Sequence, residues 1–187
     1  MPDGIRSFIA IDVEDQAIIE RIIGIQSLIG KGNVKLVEPE NIHLTLWFLG
    51  NIGEGMVDII YEQVLKKLDF KPFTIELRGL GAFPKVSRPR VIWIGVRRGE
   101  KELKNIYEQL KRLLPKLGFR PDPKGFSPHI TIARVKGRRT DLTKIIMENT
   151  DYEFGSFEAE RIKLKKSTLT PKGPVYTTLK EVYAKKT

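Results

Sequence analysis

The 187-residue sequence contains no cysteine and only two histidines. Lack of cysteine removes disulfides, thiolate nucleophiles and sulfur-ligated metals, and makes a cytoplasmic location the plain expectation. Two imidazoles with no Asp or Glu at ligand spacing beside them also supply too few ligands for a metal hydrolase, so no metal or other cofactor is expected. Long apolar runs are missing: nothing approaches the roughly 20 residues of a membrane span. Arg6, Asp12, Glu14 and Asp15 break up the N-terminal apolar residues that an export signal would need, so no membrane partner is expected. Acidic residues are scarce relative to basic ones, 23 against 33, for a net charge of +10 and a pI near 9.7. That excess favours a polyanionic partner such as RNA. A solvated surface rich in Lys, Arg and Glu, of the kind thermophile proteins carry, accounts for it equally well. Hydrophobic residues at 41% and charged residues at 30% are globular proportions, enough for one large domain or two small lobes.

The chain reads as two copies of one order. Residues 6–13 are a Phe- and Ile-rich strand, followed by a helix from Asp15 to about Leu28 with Ile18, Ile19, Ile22, Ile23, Ile25 and Ile29 at helical spacing, Asp15 as its cap and Gly30 and Gly32 as stops. A strand around His43, a helix over about 56–68 and an alternating strand over 73–80 come next. A basic, proline-punctuated loop over 81–90 then opens into a buried strand over 91–96. The order restarts with a helix over about 100–114, which Pro115 ends, a strand around His129, a short helix over about 142–148, a strand over 157–164, a second proline segment over 169–177 and a last strand to about Tyr183. An internal duplication over about 6–89 and 90–184 explains the repetition, with two similar lobes facing each other.

Both histidines sit at matching places in the copies. One stretch reads Asn41-Ile42-His43-Leu44-Thr45-Leu46-Trp47-Phe48, the other Phe126-Ser127-Pro128-His129-Ile130-Thr131-Ile132-Ala133-Arg134. In a strand, His and Thr of each triplet share one face roughly 7 Å apart, while Leu44, Leu46, Ile130 and Ile132 face a core. Threonine is about one residue in seventeen here, so its place two residues after both histidines has odds of roughly a few in a thousand by accident. One imidazole can take a proton while another gives one near neutral pH. Threonine hydroxyls beside them donate hydrogen bonds to non-bridging oxygens without adding negative charge. The pattern predicts in-line transfer at phosphorus, with His43 and His129 as acid and base in an order that physics alone leaves open, and with Thr45 and Thr131 binding the phosphoryl group.

The duplicated His43-Leu44-Thr45-Leu46 and His129-Ile130-Thr131-Ile132 also resembles the repeated His-x-Thr-x signature of the two-histidine phosphoesterase superfamily. It is most similar to the 2′-5′ RNA ligase branch, also described as RNA 2′,3′-cyclic phosphodiesterases. Supporting text lies at 6–11, 41–50, 90–95, 126–134 and 167–176. The resemblance implies a bilobal α+β fold of mainly antiparallel sheet with outer helices around a central cleft. It implies metal-free opening of a terminal 2′,3′-cyclic phosphate to a 2′-phosphate, with reverse 2′-5′ ligation by the same groups. His43 would be the acid and His129 the base. The partner implied is RNA with a 2′,3′-cyclic phosphate end, tRNA fragments among them, and the chain is expected to act as a monomer. Two rivals remain: an RNA-binding protein that grips a terminal phosphate without catalysis, and a phosphodiesterase of a small cyclic nucleotide. The Gly79-Leu80-Gly81 segment is no dinucleotide fingerprint, since the third glycine and the following helix are missing.

Three further residues are expected near substrate. Strict alternation puts Arg134 on the face opposite His129, so it reaches the cleft as a phosphate clamp only where the strand bulges near Ala133. Alternation places Trp47 on the His43 face, and Phe126 precedes the second motif, so both could stack on a base or pack in the core or at the rim. Basic clusters at Lys85, Arg88 and Arg90, and at Lys136, Arg138 and Arg139, are candidates to track an RNA backbone.

Overall fold

The computed structural model describes residues 4–30, 33–137 and 141–186. Gly32, Arg138 and Arg139, named above as a helix stop and as basic-cluster members, lie outside the described residues. In chain order the elements are β1 (Ile5–Asp12), α1 (Gln16–Ile29), β2 (Val34–Leu36), β3 (His43–Ile52), α2 (Glu54–Gln63), β4 (Phe73–Lys85), β5 (Arg88–Arg98), α3 (Glu100–Leu113), β6 (His129–Val135), α4 (Thr143–Glu148), β7 (Glu153–Ala159), β8 (Arg161–Thr170) and β9 (Gly173–Tyr183). Short 3₁₀ turns precede β3 and follow α2 and α3. No helix among the described residues is long and apolar enough to cross a membrane.

Local chemistry explains most of these boundaries. The Asp15 carboxylate accepts from the Ile18 amide at 3.0 Å and caps α1. Five of the six expected isoleucines, with Gln26, are buried, while Ile23 is 40% exposed and faces water. The proline-punctuated segment after residue 80 is a hairpin rather than a loop, because β4 runs on to Lys85 and β5 starts at Arg88. The segment at 169–177 is likewise the turn and opening of the β8–β9 hairpin. Residues 157–164, expected as one strand, belong to two: β7 ends at Ala159, and β8 starts at Arg161 in a different sheet.

The two antiparallel sheets have the orders β3-β1-β8-β9 and β2-β6-β5-β4-β7. A lobe is therefore not a half of the sequence. Strand β4 of the first half lies beside β5, and β8 of the second half lies beside β1, so each half completes the other half's sheet. Exchange of this kind leaves no separate lobe cores: residues from both sheets and from the helices form one contiguous apolar cluster. The two-lobe expectation holds for the sheets and is corrected for the chain segments that build them.

Candidate active site

The His/Thr strands β3 and β6 carry one burial pattern. His43 to Leu49 alternate half-buried, buried, half-buried, buried, then buried, exposed, buried, and His129 to Val135 repeat the series. The doubled buried positions have a cause in the register. Ile9 pairs with Trp47 and Ala10 with Thr45, so Leu46 is an extra residue, and Ile92 pairs with Ala133 and Trp93 with Thr131, so Ile132 is one too. A β-bulge leaves its extra residue unpaired and resets which face the following side chains take.

Both bulges change an expectation. Beyond Ile132 the exposed Arg134 returns to the face of His129 and Thr131, which is the one condition under which it reaches the cleft. Beyond Leu46, Trp47 turns inward. It is 4% exposed and lies 5.4 Å from the Tyr107 ring on α3, so its expected place on the His43 face is corrected. Phe48, 67% exposed, takes the cleft position instead and is the counterpart of Arg134. Phe126 also stacks on Tyr107, with centroids 4.6 Å apart and planes 12° apart. It borders a cavity of about 390 Å³ to which neither His/Thr motif contributes a residue. The β6 bulge is held from outside its own sheet. The buried Gln26 amide of α1 donates to Ile132 O at 3.0 Å and to Val37 O at 2.9 Å, and the Val37 amide donates to the same Ile132 O.

Each imidazole is oriented by the carbonyl two residues before it. His43 Nδ1 lies 2.6 Å from Asn41 O, and His129 Nδ1 lies 2.7 Å from Ser127 O. In the neutral ring that nitrogen donates, which makes Nε2 the basic one. His43 Nε2 lies 2.9 Å from Thr45 Oγ1, so the hydroxyl donates to a neutral ring and accepts from a protonated one. Thr131 stands half-buried on the matching face of β6. An aromatic ring meets each imidazole nearly edge-on: Tyr176 at 5.3 Å from His43, and Phe83 at 5.1 Å from His129. Phe8 also flanks His43 and Trp93 flanks His129. Residue-by-residue reading missed Phe83 and Tyr176, although both lie in the two echoing proline segments.

Burial lowers both imidazole pKa values, and the Asn41 and Ser127 carbonyls oppose it in part. The positive charge of Arg134 acts downward on both rings, consistent with one shared groove. His43 alone also feels Lys165, which lowers its pKa, and Asp12, which raises it. Those two belong to a largely covered ionic cluster on the face of the first sheet that carries His43, because Asp12 pairs in register with His43. Asp12 lies 2.6 Å from Lys165 Nζ and 2.9 Å from Lys163 Nζ, and Lys163 reaches Glu14 at 3.2 Å. Burial would raise the Asp12 pKa, but the two ammonium groups outweigh it and hold the carboxyl below its usual range. Tyr176 is pushed up by burial. Among the described residues, no group of three His, Asp or Glu side chains is gathered that could hold a metal ion.

A family model described as LigT like phosphoesterase matches the chain twice, over residues 11–93 and 94–176. The chain is 48% identical over 153 residues to an RNA 2′,3′-cyclic phosphodiesterase of Aeropyrum pernix, spanning 81% of this chain and 86% of that protein. It is 44% identical over 176 residues to one of Archaeoglobus fulgidus, spanning 94% and 98%. Among solved structures, TT0787 of Thermus thermophilus superposes with a TM-score of 0.80 at 28% identity over 95% of this chain and 97% of that one. E. coli LigT complexed with 3′-AMP superposes with a TM-score of 0.81 over 98% and 100%, and at 24% identity it attests the fold alone.

Proposed function

This chain belongs to the LigT-like phosphoesterase family, and we propose that it works as an RNA 2′,3′-cyclic phosphodiesterase through paired imidazole catalysis. The observation that carries the mechanism is the tie of each Nδ1 to its own backbone carbonyl, which makes Nε2 the proton-transfer position of each ring, with substrate displacing the Thr45 hydroxyl from His43 Nε2, in a groove that Arg134 also faces. In the reading, His129 takes a proton from water as its oxygen attacks phosphorus. His43 gives a proton to the 3′ oxygen as the P–O3′ bond breaks, leaving a 2′-phosphate. Thr45, Thr131 and Arg134 hold the non-bridging oxygens while charge builds on them. Burial suits this division: both rings resist a second proton, so one shared between two imidazoles leaves an acid facing a base. The same groups with exchanged roles would join RNA ends through a 2′-5′ bond. Phe48 offers an apolar face for a base.

The test uses an RNA ending in a 2′,3′-cyclic phosphate, in the presence of a chelator. Wild type should yield a 2′-phosphate, and His43→Ala and His129→Ala should each lose about 10²- to 10⁴-fold in kcat. Binding without turnover in all three proteins would refute catalysis. A substrate with sulfur in place of the 3′ oxygen orders the roles, since its leaving group needs no acid. It should rescue His43→Ala and not His129→Ala.

A further inference from the structure

The groove carries a second cation beside Arg134. Lys35 on β2 pairs in register with Arg134 on β6, so the two side chains share a face, with Cα atoms about 5 Å apart as opposed residues in an antiparallel pair are. That face is the one to which the Ile132 bulge returns Arg134, beside His129 and Thr131. Among the described residues neither cation has a carboxylate within ion-pair distance, although other lysines and arginines of this chain do. Two adjacent cations without an acidic partner repel, and a bound anion relieves that repulsion.

The surroundings fix where Lys35 reaches. Its Nζ donates to Lys172 O at 3.3 Å, at the turn of the β8–β9 hairpin, and the buried Asn41 amide donates to Pro174 O at 2.8 Å in the same turn. The hairpin so held also carries Tyr176, the edge-on partner of His43. Lys35 thus reaches to the β8–β9 turn, whereas Arg134 is the one of the two cations whose charge acts on both imidazoles.

Resting on the phosphodiesterase reading, we propose that Lys35, at the latched β8–β9 turn, binds the phosphodiester one nucleotide upstream of the cyclic phosphate and so makes the enzyme prefer an RNA chain to a cyclic mononucleotide. Arg134 takes the reacting phosphate and Lys35 the next one. The substrate class of the site is then an oligonucleotide end, which a lone cyclic nucleotide fills only in part.

The experiment compares kcat/KM on a 2′,3′-cyclic mononucleotide with that on a trinucleotide bearing the same end, for wild type, Lys35→Met, Lys35→Arg and Arg6→Gln. Lys35→Met should cut the trinucleotide-to-mononucleotide ratio about tenfold, the effect of one charge-assisted phosphate contact. It should also flatten the dependence of log KM on log salt by about 0.7, and Lys35→Arg should restore both. Equal losses on the two substrates would overturn the proposal, because they would mean that Lys35 touches the reacting phosphate or only latches the hairpin. An unchanged ratio would overturn it too. A ratio lost instead in Arg6→Gln, whose charge on β1 of the other sheet acts on Tyr176, would place the RNA over that sheet and refute it. Turnover of neither substrate by wild type would sink the phosphodiesterase reading itself, and this inference with it.

Discussion

Strands β3 and β6 have the same burial pattern, a bulge at the same place, and an imidazole tied to the carbonyl two residues back, yet their surroundings differ at three points. The exposed position after the bulge is Phe48 in one and Arg134 in the other. The anchoring carbonyl belongs to a buried, side-chain-fastened Asn41 in one and to an exposed Ser127 in the other. Beside His43, across the β1–β3 ladder, lies the Asp12–Lys165 pair, and among the described residues no such pair acts on His129. The common features set where two imidazoles and two hydroxyls point. The differences put a cation on one side and an apolar ring on the other, an asymmetry that suits the proposed substrate, a phosphate with a nucleoside on one side only.

The sharpest way to break this comparison is to cut back its two exposed members. Arg134→Gln should lower kcat/KM about 10²- to 10³-fold, because in the proposed mechanism the charge it stabilises is largest in the transition state. Phe48→Ala should cost about tenfold, the worth of one base-stacking contact, and should act mainly on KM. Comparable losses in kcat from both would mean that the two sites do the same work and that the asymmetry is decorative.

A smaller effect comes from the support of the β6 bulge. Gln26→Met keeps the side-chain volume but leaves Ile132 O with one donor in place of two and Val37 O without that amide. It should cost about 1–3 kcal/mol of stability, the penalty of under-satisfied buried carbonyls, read from a denaturant midpoint. If Gln26 works by aiming Arg134, its loss of activity should vanish in the Arg134→Gln background while the stability cost remains. Activity losses that multiply would make Gln26 a structural residue only.

The paired motif was legible because period two is a local property: His and Thr two apart share a face where the strand is regular between them, as it is in both copies up to the bulge. The fates of Trp47 and Arg134 were not, because both follow a bulge, and a bulge is set by how the neighbouring strand pairs. A local pattern cannot see that partner. Likewise residues 157–164 read as one strand because only Glu160 separates β7 from β8, and nothing local tells that the chain changes sheet there. The exchange of β4 and β8 between halves lies further out of reach, since a repeat in sequence says which segments are alike and not which of them pair.

The smallest expected effect tests the electrostatic difference between the two histidines directly. Each resists protonation through burial, and Arg134 adds to that resistance at both, whereas Lys165 adds to it only at His43. A nearby cation disfavours the imidazolium, so Lys165→Met should raise the His43 pKa and leave that of His129 in place, while Arg134→Gln should raise both. Asp12 keeps Lys163 as an ion-pair partner in Lys165→Met, so the carboxylate beside His43 stays neutralised. Because the chain has only two histidines, imidazole NMR resolves each titration without further labelling. The limb of the pH–rate profile that belongs to His43 should move toward alkaline pH with it. Equal movement of both resonances in Lys165→Met would show that the charge beside His43 is felt across the whole groove, and the two strands would then differ in shape but not in field.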